Sequence, residues 1–297
     1  MATSGRMLAY AVASLAWLVF AGAAFAEEPR RQAYEASLSS QSPASATGLR
    51  QEIHYVNPDD PDSKPPAVER IVFRLPKGSK IDTSVPARCG ASEAEFQLRG
   101  AAACPPETQV GTGALSVDTG APNPGPRVLE TDVRFFNNED ELILFAESTN
   151  TPGPPVRVVS RVVVGERTLT STVPPLPGVP PPDPFLAIKD VVNRLDAIPG
   201  SGANGPPYIR TPPSCPRDGF WTITSVFTYR DGVEQTERAT TPCRSAPDVH
   251  GCRDLRLGSA SSDFFRGTGA SEGYRGRGGG DVLLGRGGPD CLAGDGG

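Results

Sequence analysis

The chain has 297 residues, with 29 basic and 34 acidic side chains and a formal net charge of −5. This mild acidity excludes the basic face that a nucleic-acid partner requires, and arginine's excess over lysine (25 to 4) is a coding bias, not a binding patch. The 33 glycines and 32 prolines break long helices and favour short strands joined by turns.

Arg6 opens a short positive stretch, Met7 to Phe20 is almost wholly apolar, and Ala24-Phe25-Ala26 precedes Glu27-Glu28. That order predicts a secretory signal peptide over residues 1–26 with an Ala-x-Ala cleavage site. The apolar run is short for a hydrocarbon core of ~30 Å. The expected product is a secreted, extracellular protein without a membrane span. Residues 27–48 are polar and rich in Ser and Ala, which predicts a disordered leader.

From Leu49 onward the pattern becomes strand-like. Ile71, Phe73 and Leu75 alternate with Val72 and Arg74 before Pro76. Further strands are expected at Gln109–Val117, Arg127–Phe136, Glu141–Ser148, Val156–Val164 and Thr168–Val173. Residues 174–184 are dominated by proline and form a stiff extended connector. Leu186–Ile198 fits either a helix or a strand. Thr222–Tyr229, Asp231-Gly232 and Val233–Thr240 predict a hairpin with a type I′ turn. Strands at this spacing predict an antiparallel β-sandwich over residues 49–245, followed by a linker at 246–257.

All six cysteines, Cys89, Cys104, Cys215, Cys243, Cys252 and Cys291, follow the signal peptide. An even count in an exported chain implies disulfides. Six cysteines allow about 15 pairings; the local choice is Cys89–Cys104, Cys215–Cys243 and Cys252–Cys291. The absence of Cys-x-x-Cys and the presence of only His54 and His250 disfavour a zinc cluster. Between Leu75 and Gly113, a Leu-Pro-x-Gly turn, two cysteines and Val-Gly-x-Gly resemble a domain of uncharacterised exported actinobacterial proteins. The resemblance implies an all-β domain and no particular activity.

The last 40 residues read in nines: GSASSDFFR, GTGASEGYR, GRGGGDVLL, GRGGPDCLA, then GDGG. Each unit begins with Gly, and position six carries Asp263, Glu272, Asp281 or Asp290. Position eight carries Phe265, Tyr274, Leu283 or Leu292. These units resemble the hemolysin-type (repeats-in-toxin) nonapeptide, which implies a short, truncated parallel β-roll over residues 258–297 that binds calcium. In such a roll a six-residue turn alternates with a three-residue strand, and two units complete one coil. Asp263 is then expected to face Asp281, and Glu272 to face Asp290. The expected metal-site residues are Asp263, Glu272, Gly276, Gly278, Gly279, Asp281, Gly285, Gly287, Gly288 and Asp290. Carboxylates and turn carbonyls supply the hard oxygen ligands calcium prefers. The match departs from the motif at position two, where Ser259, Thr268, Arg277 and Arg286 replace glycine, and at position four in Ser261 and Ala270. The family's toxin role and C-terminal secretion signal do not carry over.

Catalytic signatures are missing. No Gly-x-Ser-x-Gly or His-Glu-x-x-His occurs, and Gly111-Thr112-Gly113 lacks the context of a nucleotide loop. Glu93/Glu95 and Glu139/Asp140/Glu141 read as charged turns, while Phe220 and Trp221 read as core residues. The expected protein binds calcium and is not an enzyme. In a second reading, the sandwich recognises a cell-surface glycan or protein.

Overall fold

The computed structural model describes residues 28–122, 127–200, 205–244, 255–259, 261–268, 272–287 and 290–294. The signal peptide expected at 1–26 lies outside these residues. Thirteen strands precede the repeats: β1 (Gln32–Leu38), β2 (Leu49–Tyr55), β3 (Val68–Arg74), β4 (Lys80–Ile81), β5 (Gln109–Asp118), β6 (Val128–Asn138), β7 (Glu141–Ser148), β8 (Arg157–Val164), β9 (Thr168–Thr172), β10 (Ala187–Leu195), β11 (Ile209–Arg210), β12 (Phe220–Tyr229) and β13 (Glu234–Pro242). One helix, α1 (Glu93–Arg99), interrupts them. The chain is mostly β, and the five central strands expected from alternation lie within two residues of their observed bounds.

Eleven of these strands form one antiparallel sheet in the order β1-β2-β10-β5-β6-β7-β8-β9-β3-β12-β13. This is one continuous sheet, whereas the expected sandwich requires two packed face to face. Period-two alternation shows which side chains point inward, but not whether the inward faces belong to one curled sheet or to two. The ambiguous Leu186–Ile198 segment resolves as β10, paired with β2 on one side and β5 on the other.

The sheet curls until its edges meet. Arg31 N donates to Gln235 Oε1 (3.0 Å), Gln32 Nε2 to Glu237 Oε1 (3.2 Å) and Leu38 N to Thr241 Oγ1 (3.0 Å). An odd number of alternating strands leaves the first and last running the same way, and both residue series indeed rise together. Side-chain groups, not a backbone ladder, close this parallel seam. This corrects the disordered leader expected at 27–48, because residues 32–38 are a stave of the sheet. Its inward positions are Gln32, Tyr34, Ala36 and Leu38, and all but Tyr34 are buried.

The apolar run of β7 is explained by burial on both faces. Leu142, Leu144 and Ala146 face the interior of the sheet, while Ile143 and Phe145 face outward into a second core with Phe96 and Phe136. Phe96 comes from α1, which sequence patterning did not anticipate. Its start is nonetheless encoded in Ser92-x-x-Glu95, a reciprocal capping box. Cys89–Cys104 staples the segment carrying α1, and Cys215–Cys243 links the approach to β12 with the end of β13. Both match the local choice and suit an oxidising compartment. Cys291 is also disulfide-bonded, while Cys252 lies outside the described residues.

Two connections deserve their physical reasons. The β12–β13 hairpin exists, but only Gly232 has positive φ (+88°), whereas a type I′ turn needs two such residues. Gly232 N donates to Tyr229 O and Tyr229 N to Val233 O, giving a three-residue loop with glycine in the left-handed position. The proline-rich connector is held by Lys64, whose side chain is 2% exposed. Its Nζ donates to the carbonyls of Val179 (2.8 Å), Asp183 (2.7 Å) and Phe185 (2.8 Å). No helix among the described residues is long and apolar enough to cross a membrane.

Candidate functional site

The repeats form five three-residue strands: β14 (Leu255–Leu257), β15 (Phe264–Arg266), β16 (Gly273–Arg275), β17 (Val282–Leu284) and β18 (Cys291–Ala293). They pair in parallel, β14-β16-β18 in one small sheet and β15-β17 in another. Phe265 pairs with Leu283, and Tyr274 with Leu292, a register of two nonapeptides. The linker expected at 246–257 therefore ends early, since Leu255–Leu257 already pair with Gly273–Arg275. The cause is phasing: these residues occupy positions seven to nine of a preceding nine-residue unit that begins with Val249 instead of glycine.

Position one is glycine because the next coil leaves it no room. A Cβ on Gly258 would lie 2.5 Å from the Gly276 carbonyl oxygen, and one on Gly267 would lie 2.3 Å from that of Gly285. Position-one amides add a regular link between coils: Gly258 N donates to Arg275 O, Gly267 N to Leu284 O and Gly276 N to Ala293 O. Between the two sheets, Phe265 and Tyr274 stack with centroids 4.5 Å apart, each 7% exposed. Leu292 is 39% exposed, so the filling thins toward the C-terminal end.

The acids expected to meet do adjoin across the coils. Asp263 N donates to Asp281 Oδ1 (2.9 Å), and Glu272 N donates to Asp290 Oδ1 (3.1 Å). The earlier acid of each pair serves its own turn. Asp263 Oδ2 accepts from Ser259 N (2.6 Å) and Oγ (3.0 Å), and the Glu272 carboxylate accepts from Thr268 N and Oγ1. The Thr268 hydroxyl and amide hold the Glu272 carboxyl below the usual carboxylate range. The position-two Ser and Thr thus stand in for glycine by capping the acid. Where position two is arginine, the backbone itself adapts: Arg277 and Arg286 have φ of +77° and +74°. Gly279 at position four has φ +94°, and a Cβ there would meet the Ser261 carbonyl carbon at 2.5 Å.

Could this edge hold a cation? Asp281 Oδ2 is buried and without a hydrogen-bond partner, an oxygen that a positive ion would satisfy. Burial, together with the Asp263 and Asp281 carboxylates, raises the pKa of the Tyr274 hydroxyl. Among the described residues, no three His, Cys, Asp or Glu side chains cluster into a cage on their own. Each edge brings two carboxylates, and the remaining oxygens must come from turn carbonyls such as those of Gly276 and Gly285. Gly278 and Gly287 sit within the same turns. Gly278 N donates to Ser259 O and Gly287 N to Gly285 O, while Gly288 lies outside the described residues.

The other polar groupings have structural work. Glu95 caps α1, Glu139 pairs with Arg88, and Glu141 pairs with Arg161. His54 Nδ1 lies 2.5 Å from Asp190 Oδ1, and Ser116 Oγ donates to Asp190 Oδ2 (2.8 Å). The serine thus bonds to the carboxylate and not to the imidazole, so these residues do not form the relay of a nucleophilic triad. Burial pushes the Asp190 carboxyl up, but hydrogen bonds from His54 and Ser116 outweigh it and leave it below the ordinary value. Trp221 is buried as expected, whereas Phe220 is 46% exposed. His250 lies outside the described residues. No protein-family model and no curated protein matches the chain.

Proposed function

We propose that the chain is an exported calcium-binding protein whose C-terminal nonapeptides wind into a calcium-stabilised β-roll, and that it acts by binding, not by catalysis. The supporting observation is the two-unit register that sets Asp263 beside Asp281 and Glu272 beside Asp290. Two carboxylates and neighbouring turn carbonyls on each edge match the ligand type of a hard divalent ion. Asp281 and Asp290 are the principal candidates to hold it, with Asp263 and Glu272 closing the sites. The bound ion would supply positive charge that links successive coils, coupling its binding to the winding of the tail. Residues 252–297 carry as many arginines as acids, so affinity in the sub-millimolar to millimolar range of extracellular modules is expected.

Calorimetric titration of the mature chain with calcium, paired with hydrogen exchange of the tail, tests this. Saturable heat and slowed exchange in residues 255–294 are expected, both abolished in the Asp281→Asn, Asp290→Asn double variant. Equal heat in the double variant would refute the assignment of these carboxylates.

A further inference from the structure

The interior of the eleven-stranded sheet is unevenly filled. Near the seam, Tyr34, Tyr55, Phe73 and Phe227 interlock, with Phe227 edge-on to Tyr34 and to Tyr55 at centroid distances of 5.9 and 6.0 Å. Beyond Phe73 lies a cavity of about 160 Å³, walled by residues of β2, β3 and β5 through β10 and by the connector. Its wall is mostly aliphatic. Leu115, Leu144, Val158 and Ile188 face it and remain only partly buried, because no side chain occupies the space before them. Engineered apolar cavities of about 150 Å³ stay dry and admit molecules the size of benzene. Barrels of eight or more strands commonly use such interior space for a ligand.

Five hydroxyl residues, Thr131, Ser148, Ser160, Ser171 and Thr172, and two amides interrupt the aliphatic wall. Gln51 on β2 and Asn193 on β10 are direct cross-strand partners, and both line the cavity. Gln51 is 5% exposed, and its Nε2 has no hydrogen-bond partner; Asn193 Oδ1 is likewise buried and unpartnered. Tyr34 Oη lies near Gln51 and Ser225; burial raises its pKa more than these two side chains lower it, so the hydroxyl stays neutral. Unmatched donors and acceptors in a buried site are costly unless something completes them. No residue lining the cavity is charged. A buried carboxylate or phosphate would therefore lack a counter-charge, and a sugar would leave most of its hydroxyls facing leucine and valine.

We propose that this lumen is a binding site for a small, uncharged, mainly apolar molecule with a single hydroxyl or carbonyl group. The hydrocarbon part lies along the aliphatic wall, and the polar group meets Gln51 and Asn193. The proposal does not depend on the calcium reading of the tail.

The test uses the mature chain, with toluene and 1-hexanol as ligands titrated by calorimetry. Saturable binding of both is expected. Val158→Phe fills the lumen and should weaken both by about tenfold. Gln51→Leu with Asn193→Leu should weaken hexanol by about fivefold while leaving toluene within about twofold. Circular dichroism confirms that each variant is folded, and the amide pair supplies the test if Val158→Phe does not fold. Absence of saturable binding overturns the proposal. So does unchanged affinity in folded Val158→Phe, unchanged hexanol affinity in the amide double variant, or tighter binding of hexanoate than of hexanol.

Discussion

Replacing Lys64 with methionine keeps the apolar stem of the side chain but removes the ammonium that gathers three carbonyls of the proline-rich connector. The ammonium donates at 2.7–2.8 Å to Val179, Asp183 and Phe185 and lies 3.7 Å from Asp183 Oδ1. Hydrogen bonds involving a charged group each contribute about 1.5–3 kcal/mol. Part of that gain is offset in the native protein by the desolvation of a side chain only 2% exposed. Removing one partner of such an arrangement costs about 3–5 kcal/mol, since three carbonyls lose their donor and the partly buried Asp183 carboxylate loses its counter-charge. For a domain of this size, each kcal/mol lowers Tm by about 2–4 °C, so a fall of about 10 °C is expected. Thermal unfolding followed by circular dichroism measures it. A Lys64→Met protein melting within about 3 °C of the parent would show that the connector is held by other contacts, and the reasoning would fail.

Arg277→Gly and Arg286→Gly should tighten the tail, because both arginines adopt positive φ where an L side chain costs roughly 1 kcal/mol. The double variant should reach half-saturation at a lower calcium concentration; an unchanged or higher midpoint would contradict the strain argument. Acid sensitivity has a definite sign. The folded-state pKa values of Asp190 and Asp231 lie below their ordinary values: burial raises both, and hydrogen bonds from His54 and Ser116 to Asp190, and from Arg31 to Asp231, more than offset it. Their contribution is present in full above the unfolded-state pKa of about 4 and is lost as pH falls through the lower folded values. Melting temperatures from pH 7 downward should therefore drop in acid, and Asp190→Asn should drop less steeply below about pH 4; an identical slope would exclude Asp190 as a contributor.

Strand positions were readable because inward and outward residues alternate cleanly, as in Leu49–Tyr55 and Phe220–Tyr229. The first stave was not, because the inward positions of Gln32–Leu38 include Gln32 and Ala36 and its outward ones Ala33 and Ser37, a contrast too weak to separate from a polar leader. The capping box of α1 was visible but sat on a seven-residue helix, too short for periodicity to support. In the tail, nine-residue phasing foresaw which acids adjoin, and the position-two departures marked the sites where the backbone turns left-handed at Arg277 and Arg286. The cavity was beyond reach from sequence. Leu144 and Val158 carry the same inward signature as core-filling residues, and only the curvature of the sheet decides whether opposing walls touch.

The strand order has a consequence for how the molecule must be made. Hairpin-linked strands are joined by long-range pairings: β2 lies against β10, β3 against β12, and the ring is shut by its earliest stave, β1, and its latest, β13. No partial length of polypeptide can complete the enclosure, so folding must wait until the final hairpin has emerged. A nascent chain threaded through a narrow export channel would thus remain unclosed during passage and snap into its ring only on the far side.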